Sequence, residues 1–168
     1  LIRRLDTLPG MLARECGYRS LQTGKFWEGH WRNGGFTEGM TTFKPPPVDQ
    51  TFGGVRTLAG GQRVAHGNGD AGLQIGRSTM TPIFQFIDAC ESHSTPWMVW
   101  YAPYLPHQPH DSPQKFYDQA RSRPNVADFE LPYFASIAQF DDTVGKLVQF
   151  VENKGLAEET LFVYVSDT

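Results

Sequence analysis

The sequence predicts an α/β fold with a mainly parallel sheet flanked by helices. Strand-like runs alternate with segments of helical periodicity, the order that parallel strands and crossover helices produce. The run Trp97-Met98-Val99-Trp100-Tyr101-Ala102 is continuously apolar, as strands covered on both faces are. The chain has 168 residues, 39% hydrophobic and 20% charged, which suits one domain or a piece of one. Twelve Phe, six Tyr and four Trp supply large anchors for its core.

Residues 5–16 read as a helix, with Leu5, Leu8, Met11, Leu12 and Cys16 near a 3.6 period and Gly17 as its stop. Residues 18–23 form a short β-compatible run ending at Gly24. Residues 29–76 read mostly as loop, with the core of that stretch at 41–76. Pro45-Pro46-Pro47 is followed by eight Gly between 53 and 76, and loops of such length are functional or disordered. Ser78 can cap a helix to about Cys90 with Met80, Ile83, Phe84, Phe86 and Ile87 on its apolar side. The apolar run 97–102 ends at Pro103 and Pro106. Pro113 opens a short helix to Ala120. A long helix over 132–154 presents Ile137, Phe140, Val144, Leu147, Val148 and Val151 on one face and ends at Gly155. Leu161 to Val165 reads as the last strand.

Composition excludes several classes. A formal charge of −3 offers no basic surface for nucleic acid. Cys16 and Cys90 cannot make a disulfide scaffold and belong to no zinc-like cluster; they read as small buried residues or inert thiols. The longest apolar run, 96–106, is broken by prolines and falls short of the ~20 residues that span a bilayer. The chain opens on Leu-Ile-Arg-Arg without a signal-peptide pattern and stops at Thr168 directly after a strand-like run, so it reads as an interior fragment of a longer protein.

Ligands of open parallel sheets bind beyond the carboxyl ends of the strands. Lys25, His107 and Asp167 each follow such a run. A cation, an imidazole and a carboxylate on one rim can make an anion-handling, metal-assisted site. His110, Arg77, Trp31 and Phe36 sit in loops or near strand rims where side chains can face a substrate. Asp141-Asp142 looks like a carboxylate pair, but neighbours on a helix point apart, so a solvated or capping role is expected.

The segment Thr23-Gly24-Lys25-Phe26-Trp27-Glu28-Gly29 resembles the Gly-Lys-Trp-His-x-Gly segment of sulfatases, members of the alkaline-phosphatase-like superfamily. Residues 103–109, Pro-Tyr-Leu-Pro-His-Gln-Pro, resemble the Ala-Pro-His-x-Pro loop of that family. Residues 133–167 resemble its Tyr-x-x-x-Ile-x-x-x-Asp-x-x-Val-Gly helix, then Gly-Leu-x-x-x-Thr and an apolar strand ending Ser-Asp-Asn. Glu15-Cys16-Gly17-Tyr18 resembles the segment preceding the Gly-Lys motif. These similarities occur in order over nearly the whole chain.

The resemblance implies a partial alkaline-phosphatase-like sandwich, read as a fragment of one catalytic domain truncated at both ends. It implies sulfate-ester hydrolysis of a sulfated small molecule or carbohydrate, with a formylglycine nucleophile and Ca²⁺ or Mg²⁺. It also implies a periplasmic, secreted or lysosomal setting. Carried over, Lys25 matches the lysine that contacts sulfate and nucleophile, and His107 the histidine near the ester oxygen. Asp167 matches the aspartate of the metal-binding Asp-Asn pair, a hard oxygen ligand of the kind such cations take. Thr168 stands where the Asn is usual, and its hydroxyl can also ligate a metal.

The chain departs from the family pattern in other places. No Cys- or Ser-x-Pro-x-Arg motif occurs, and Trp27 stands where the family has His. A phosphoesterase of the same superfamily and a non-catalytic binding protein of this fold remain alternatives. The formylglycine is expected upstream, so the isolated fragment is expected to be inactive. In the full-length protein, Asp167→Ala is expected to weaken Ca²⁺ binding and ester hydrolysis together, and Asp142→Ala to spare both. Calorimetric titration beside hydrolysis assays checks this contrast, and unaltered affinity in Asp167→Ala removes the ligand assignment.

Overall fold

The computed structural model describes residues 2–26, 30–41, 55–57, 63–65, 75–107 and 109–166. The first helix, α1, spans Leu8–Cys16. It starts later than its periodicity predicts because Thr7 is the N-cap, accepting from the Gly10 amide, and Pro9 follows in the first turn. Gly17, at φ 71°, closes it in the left-handed conformation. The helix buries only Pro9, and Leu5, Leu8 and Met11 are exposed.

Three strands form a parallel sheet: β1 (Arg19–Gly24) in the centre, β2 (Glu38–Gly39) on one side and, on the other, the strand Trp97–Ala102. That strand is β5, because two short antiparallel strands, β3 (Val55–Thr57) and β4 (Arg63–Ala65), precede it within the stretch read as loop. β1 and β5 pair over six residues, from Arg19 opposite Trp97 to Gly24 opposite Ala102.

The central strand is buried although its middle is polar: Ser20, Gln22 and Thr23 are all fully covered. A buried polar group without a partner costs about 1–3 kcal/mol, so each of these has one. Ser20 exchanges hydrogen bonds with Thr37 through both backbone and hydroxyl groups. Thr23 Oγ1 donates to the Trp100 carbonyl at 2.8 Å. The Gln22 amide donates to Gly24 O and accepts from Thr41 N. These bonds attach the segment 37–41 to β1 and explain how a strand as short as β2 persists.

The helix α2 (Thr81–Glu91) covers one face of the sheet. It begins three residues after the Ser78 cap that the sequence predicts, with Met80 as N-cap and Pro82 in its first turn. Its Ile83, Phe86, Ile87 and Cys90 pack with Leu21, Ile75 and Met80, and Trp97, Val99 and Tyr101 of β5 close against them. Two more helices follow, α3 (Gln114–Arg121) and α4 (Leu131–Asn153). Phe116 of α3 packs on Ala135 and Ala138 of α4. Near the far end of α4, Phe150 stacks on Phe84 at 4.3 Å between centroids. Asp142 is half-buried between Lys115, at 3.8 Å, and Lys146, at 2.6 Å, so it is charge-paired rather than simply solvated or capping.

Two further expectations, on α4 and on the run after it, are corrected. The buried face of α4 consists of Ala135, Ser136, Ala138, Gln139 and Thr143 with Leu131 and Val151; of the large apolar residues predicted to line it, only Val151 is fully covered. Small residues admit α3, and Gln139 and Thr143 are buried because they hold other parts of the chain. The run Leu161–Val165 is not a strand; its five side chains are 47–87% exposed. Strand propensity is expressed only through a paired, covered neighbour, and among the described residues none lies beside this run.

Cys90 is fully buried on α2, where burial pushes its thiol pKa up, whereas Cys16 is exposed and so is not a small buried residue. The thiolate is the reactive form. An aromatic disulfide reagent is therefore expected to titrate Cys16 rapidly in the native chain and Cys90 only on unfolding. Two equally fast thiols would show that α2 is not packed as described.

Candidate functional site

The carboxyl ends of β1 and β5 meet at a single close approach. Gly24 has φ +73°, and a Cβ there would lie 1.9 Å from the Ala102 carbonyl oxygen. Only glycine supplies that conformation without a side chain to collide. The Gly24 carbonyl accepts from Gln22 Nε2 at 3.1 Å and from Thr41 Oγ1 at 3.0 Å. The next residue, Lys25, donates its amide to Ala102 O at 2.6 Å and accepts at its carbonyl from Trp100 Nε1 at 3.3 Å. The backbone of Lys25 is thus held on both sides as it leaves the sheet.

Its ammonium lies 5.4 Å from the centroid of the Tyr104 ring, within the range of a cation–π contact. The exposed imidazole of His107 meets the same ring edge-on, at 5.4 Å between centroids and 82°. Tyr104 itself is buried, and its carbonyl accepts from the His107 amide at 2.7 Å, closing a turn. Lys25 and His107, 82 positions apart in sequence, share one aromatic partner at the carboxyl rim. An ammonium and an imidazole so placed can neutralise an anion and exchange a proton with it. In the sequence Tyr104 is one residue of the loop motif 103–109, and its place as the shared partner has no signal short of the fold.

The other residues singled out in the sequence take different places. His110 is half-buried, with Nε2 3.0 Å from the Pro106 carbonyl and its ring against Tyr133. Phe36 is buried against Phe26 and Trp100. Trp31 lies over β2, where a Cβ on Gly39 would meet its ring at 2.4 Å. Arg77 has a side chain only 2% exposed, ion-paired with Asp111 and turned into the loop that carries His107 rather than outward. Trp27, Asp167 and Thr168 lie outside the described residues. Among the described residues no group of three or more His, Cys, Asp or Glu could hold a metal ion, so they do not by themselves fit the cation that the motifs imply. No helix among them is long and apolar enough to cross a membrane.

The fold and this rim define an α/β protein that brings Lys25 and His107 together at the carboxyl end of a parallel sheet. The Sulfatase family model matches residues 1–168, and the chain belongs to the sulfatase family. Among curated proteins no match is found. Among solved structures, that of Ps i-CgsB in complex with k-i-k-neocarrahexaose is similar over 88% of this chain, with a TM-score of 0.56 and 18% identity. That of PsFucS1 sulfatase from Pseudoalteromonas sp. is similar over 91%, with a TM-score of 0.56 and 16% identity. At such identities the likeness is one of fold. The chain spans 36% of the length of each of these structures.

Gly24→Ala is expected to force β1 and β5 apart at the rim and to lower the thermal midpoint by several degrees, since non-glycine strain at such a position costs about 1–3 kcal/mol. Gly145→Ala, on the exposed side of α4 with open space around it, is expected to leave the midpoint unchanged or raise it. Thermal unfolding of the two variants checks the contrast.

Proposed function

We propose that this chain supplies the lysine–histidine wall of a sulfuric ester hydrolase site, and that the full-length protein cleaves sulfate esters of carbohydrates or aryl alcohols. The observation that supports this reading is the joint placement of Lys25 and His107 on Tyr104 at the carboxyl rim of the sheet. The Lys25 ammonium acts as a point charge on a sulfate oxygen, where negative charge must be neutralised as the ester bond breaks. The His107 imidazole, exposed beside it, protonates the departing alkoxide or donates to the sulfate. His110 stands further along the same loop as a secondary substrate contact.

The proposal assigns the whole 168-residue chain to one catalytic domain, with 41–76 as its loop region. The formylglycine nucleophile belongs to another part of the full-length protein. Asp167 and Thr168 are proposed as this chain's contribution to a Ca²⁺ or Mg²⁺ site that is otherwise formed elsewhere. A periplasmic, secreted or lysosomal setting follows from family resemblance alone.

In the full-length protein, Lys25→Ala and His107→Ala are each expected to lower kcat/KM for 4-nitrophenyl sulfate by about 10²–10³-fold. The purified 168-residue chain is expected to show no turnover. Assays with 4-nitrophenyl phosphate run in parallel: a preference for that ester would place the protein among phosphoesterases. Wild-type rates in both variants would remove Lys25 and His107 from the site.

A further inference from the structure

We infer that Arg77 is a positioning residue for His107, acting from beneath the histidine loop; this rests on the proposed role of His107. One guanidinium nitrogen, Nη2, donates to the His107 carbonyl at 2.7 Å. The other, Nη1, donates to the Pro109 carbonyl at 2.9 Å and pairs with the Asp111 carboxylate. The planar fork thus ties three points of one loop over 107–111, a task that a lysine, with a single nitrogen, reproduces poorly. With its side chain 2% exposed, Arg77 is not available to a substrate.

The anchor of this strut is itself fixed to regular structure. Gln139 Nε2 of α4 donates to the Arg77 carbonyl at 3.0 Å and to the Gly76 carbonyl at 3.4 Å. Gly76, at φ +76°, lies so close to Tyr101 of β5 that a Cβ would be 2.5 Å from the phenol oxygen. That phenol is bonded to Thr143 of α4 at 2.6 Å. The load path runs from α4 and β5 through residues 76–77 and the guanidinium to the backbone of His107. From the far side, Tyr117 of α3 donates to the His110 carbonyl at 3.0 Å. Groups in an active site act efficiently only when such supports hold them within a fraction of an ångström. Tyr104 holds the His107 imidazole laterally, and Arg77 holds its backbone from below.

The test uses the full-length protein with ring-labelled histidine and 4-nitrophenyl sulfate as probe. Arg77→Met is expected to shift the His107 ring signals, which sit against Tyr104, and to leave those of His93, at the end of α2, in place. It is expected to lower kcat about tenfold to a hundredfold with KM nearly unchanged. In a His107→Ala background it should cause no further loss, because its effect passes through that side chain. Unmoved His107 signals, or an equal loss of activity in the His107→Ala background, would overturn the inference. Should Arg77→Met fail to fold, Arg77→Lys and Asp111→Asn replace it, with smaller shifts in the same signals expected; signals as in the wild type in both again overturn it. Wild-type activity in His107→Ala would end the catalytic reading of that residue, while the ring signals still decide whether Arg77 positions it.

Discussion

The structure depends on one close approach, the contact between the Gly24 backbone and the Ala102 carbonyl. Parallel strands are usually described by their ladders, and the six paired positions of β1 and β5 supply one here. At the last pair the two backbones come closer than any side chain allows. The parallel pairing brings the ends of β1 and β5 to a common rim, and the chain leaves the sheet at Lys25 just past this contact. The polar interior of β1 supports it. Gln22 and Thr41 both donate to the Gly24 carbonyl, so the turn carrying Lys25 is braced by buried amide and hydroxyl groups rather than by apolar packing. Such bonds are directional in a way that hydrophobic contact is not, and they fix the course of the backbone at Lys25.

Much of this was legible in the sequence, and the parts that were not share a physical cause. The continuous apolar run 97–102, the periodicity of α2 and the prolines and glycines that bound the helices point to α1, β1, α2, β5, α3 and α4 in their observed order. Polar residues concealed the rest. Glu38–Gly39 carries no strand pattern, and it is a strand because Thr37 and Thr41 bond to β1. Gln139 and Thr143 lie outside the apolar set that marks one face of α4, yet they are buried and hydrogen-bonded to residues 76–77 and Tyr101. Leu161–Val165 had the clearest strand composition and is not one, because pairing is a property of two segments and composition a property of one. Arg77 is a similar case: a loop arginine near a strand rim reads as a ligand contact until its carbonyl partners are known.

The candidate site shows the same division. Strand-end position singled out Lys25 and His107, and motif resemblance singled them out independently. What joins them is Tyr104, whose buried ring presents its face to one and meets the other edge-on. An aromatic ring in this place has a use beyond spacing. Its face attracts the ammonium, while its edge meets the imidazole at 82°, so one buried side chain orients both groups.

The exposed run Leu161-Phe162-Val163-Tyr164-Val165 has a consequence for how this chain behaves in solution. It combines β-branched and aromatic residues, carries no charge and contains no proline. Short segments of that composition stack in register with their own copies when their backbone is left unpaired. Gatekeeping charge flanks the run in sequence on both sides, with Glu158 and Glu159 before it and Asp167 after it. Association of the 168-residue polypeptide through this run is therefore expected to rise with protein concentration and with ionic strength, as salt screens the flanking carboxylates.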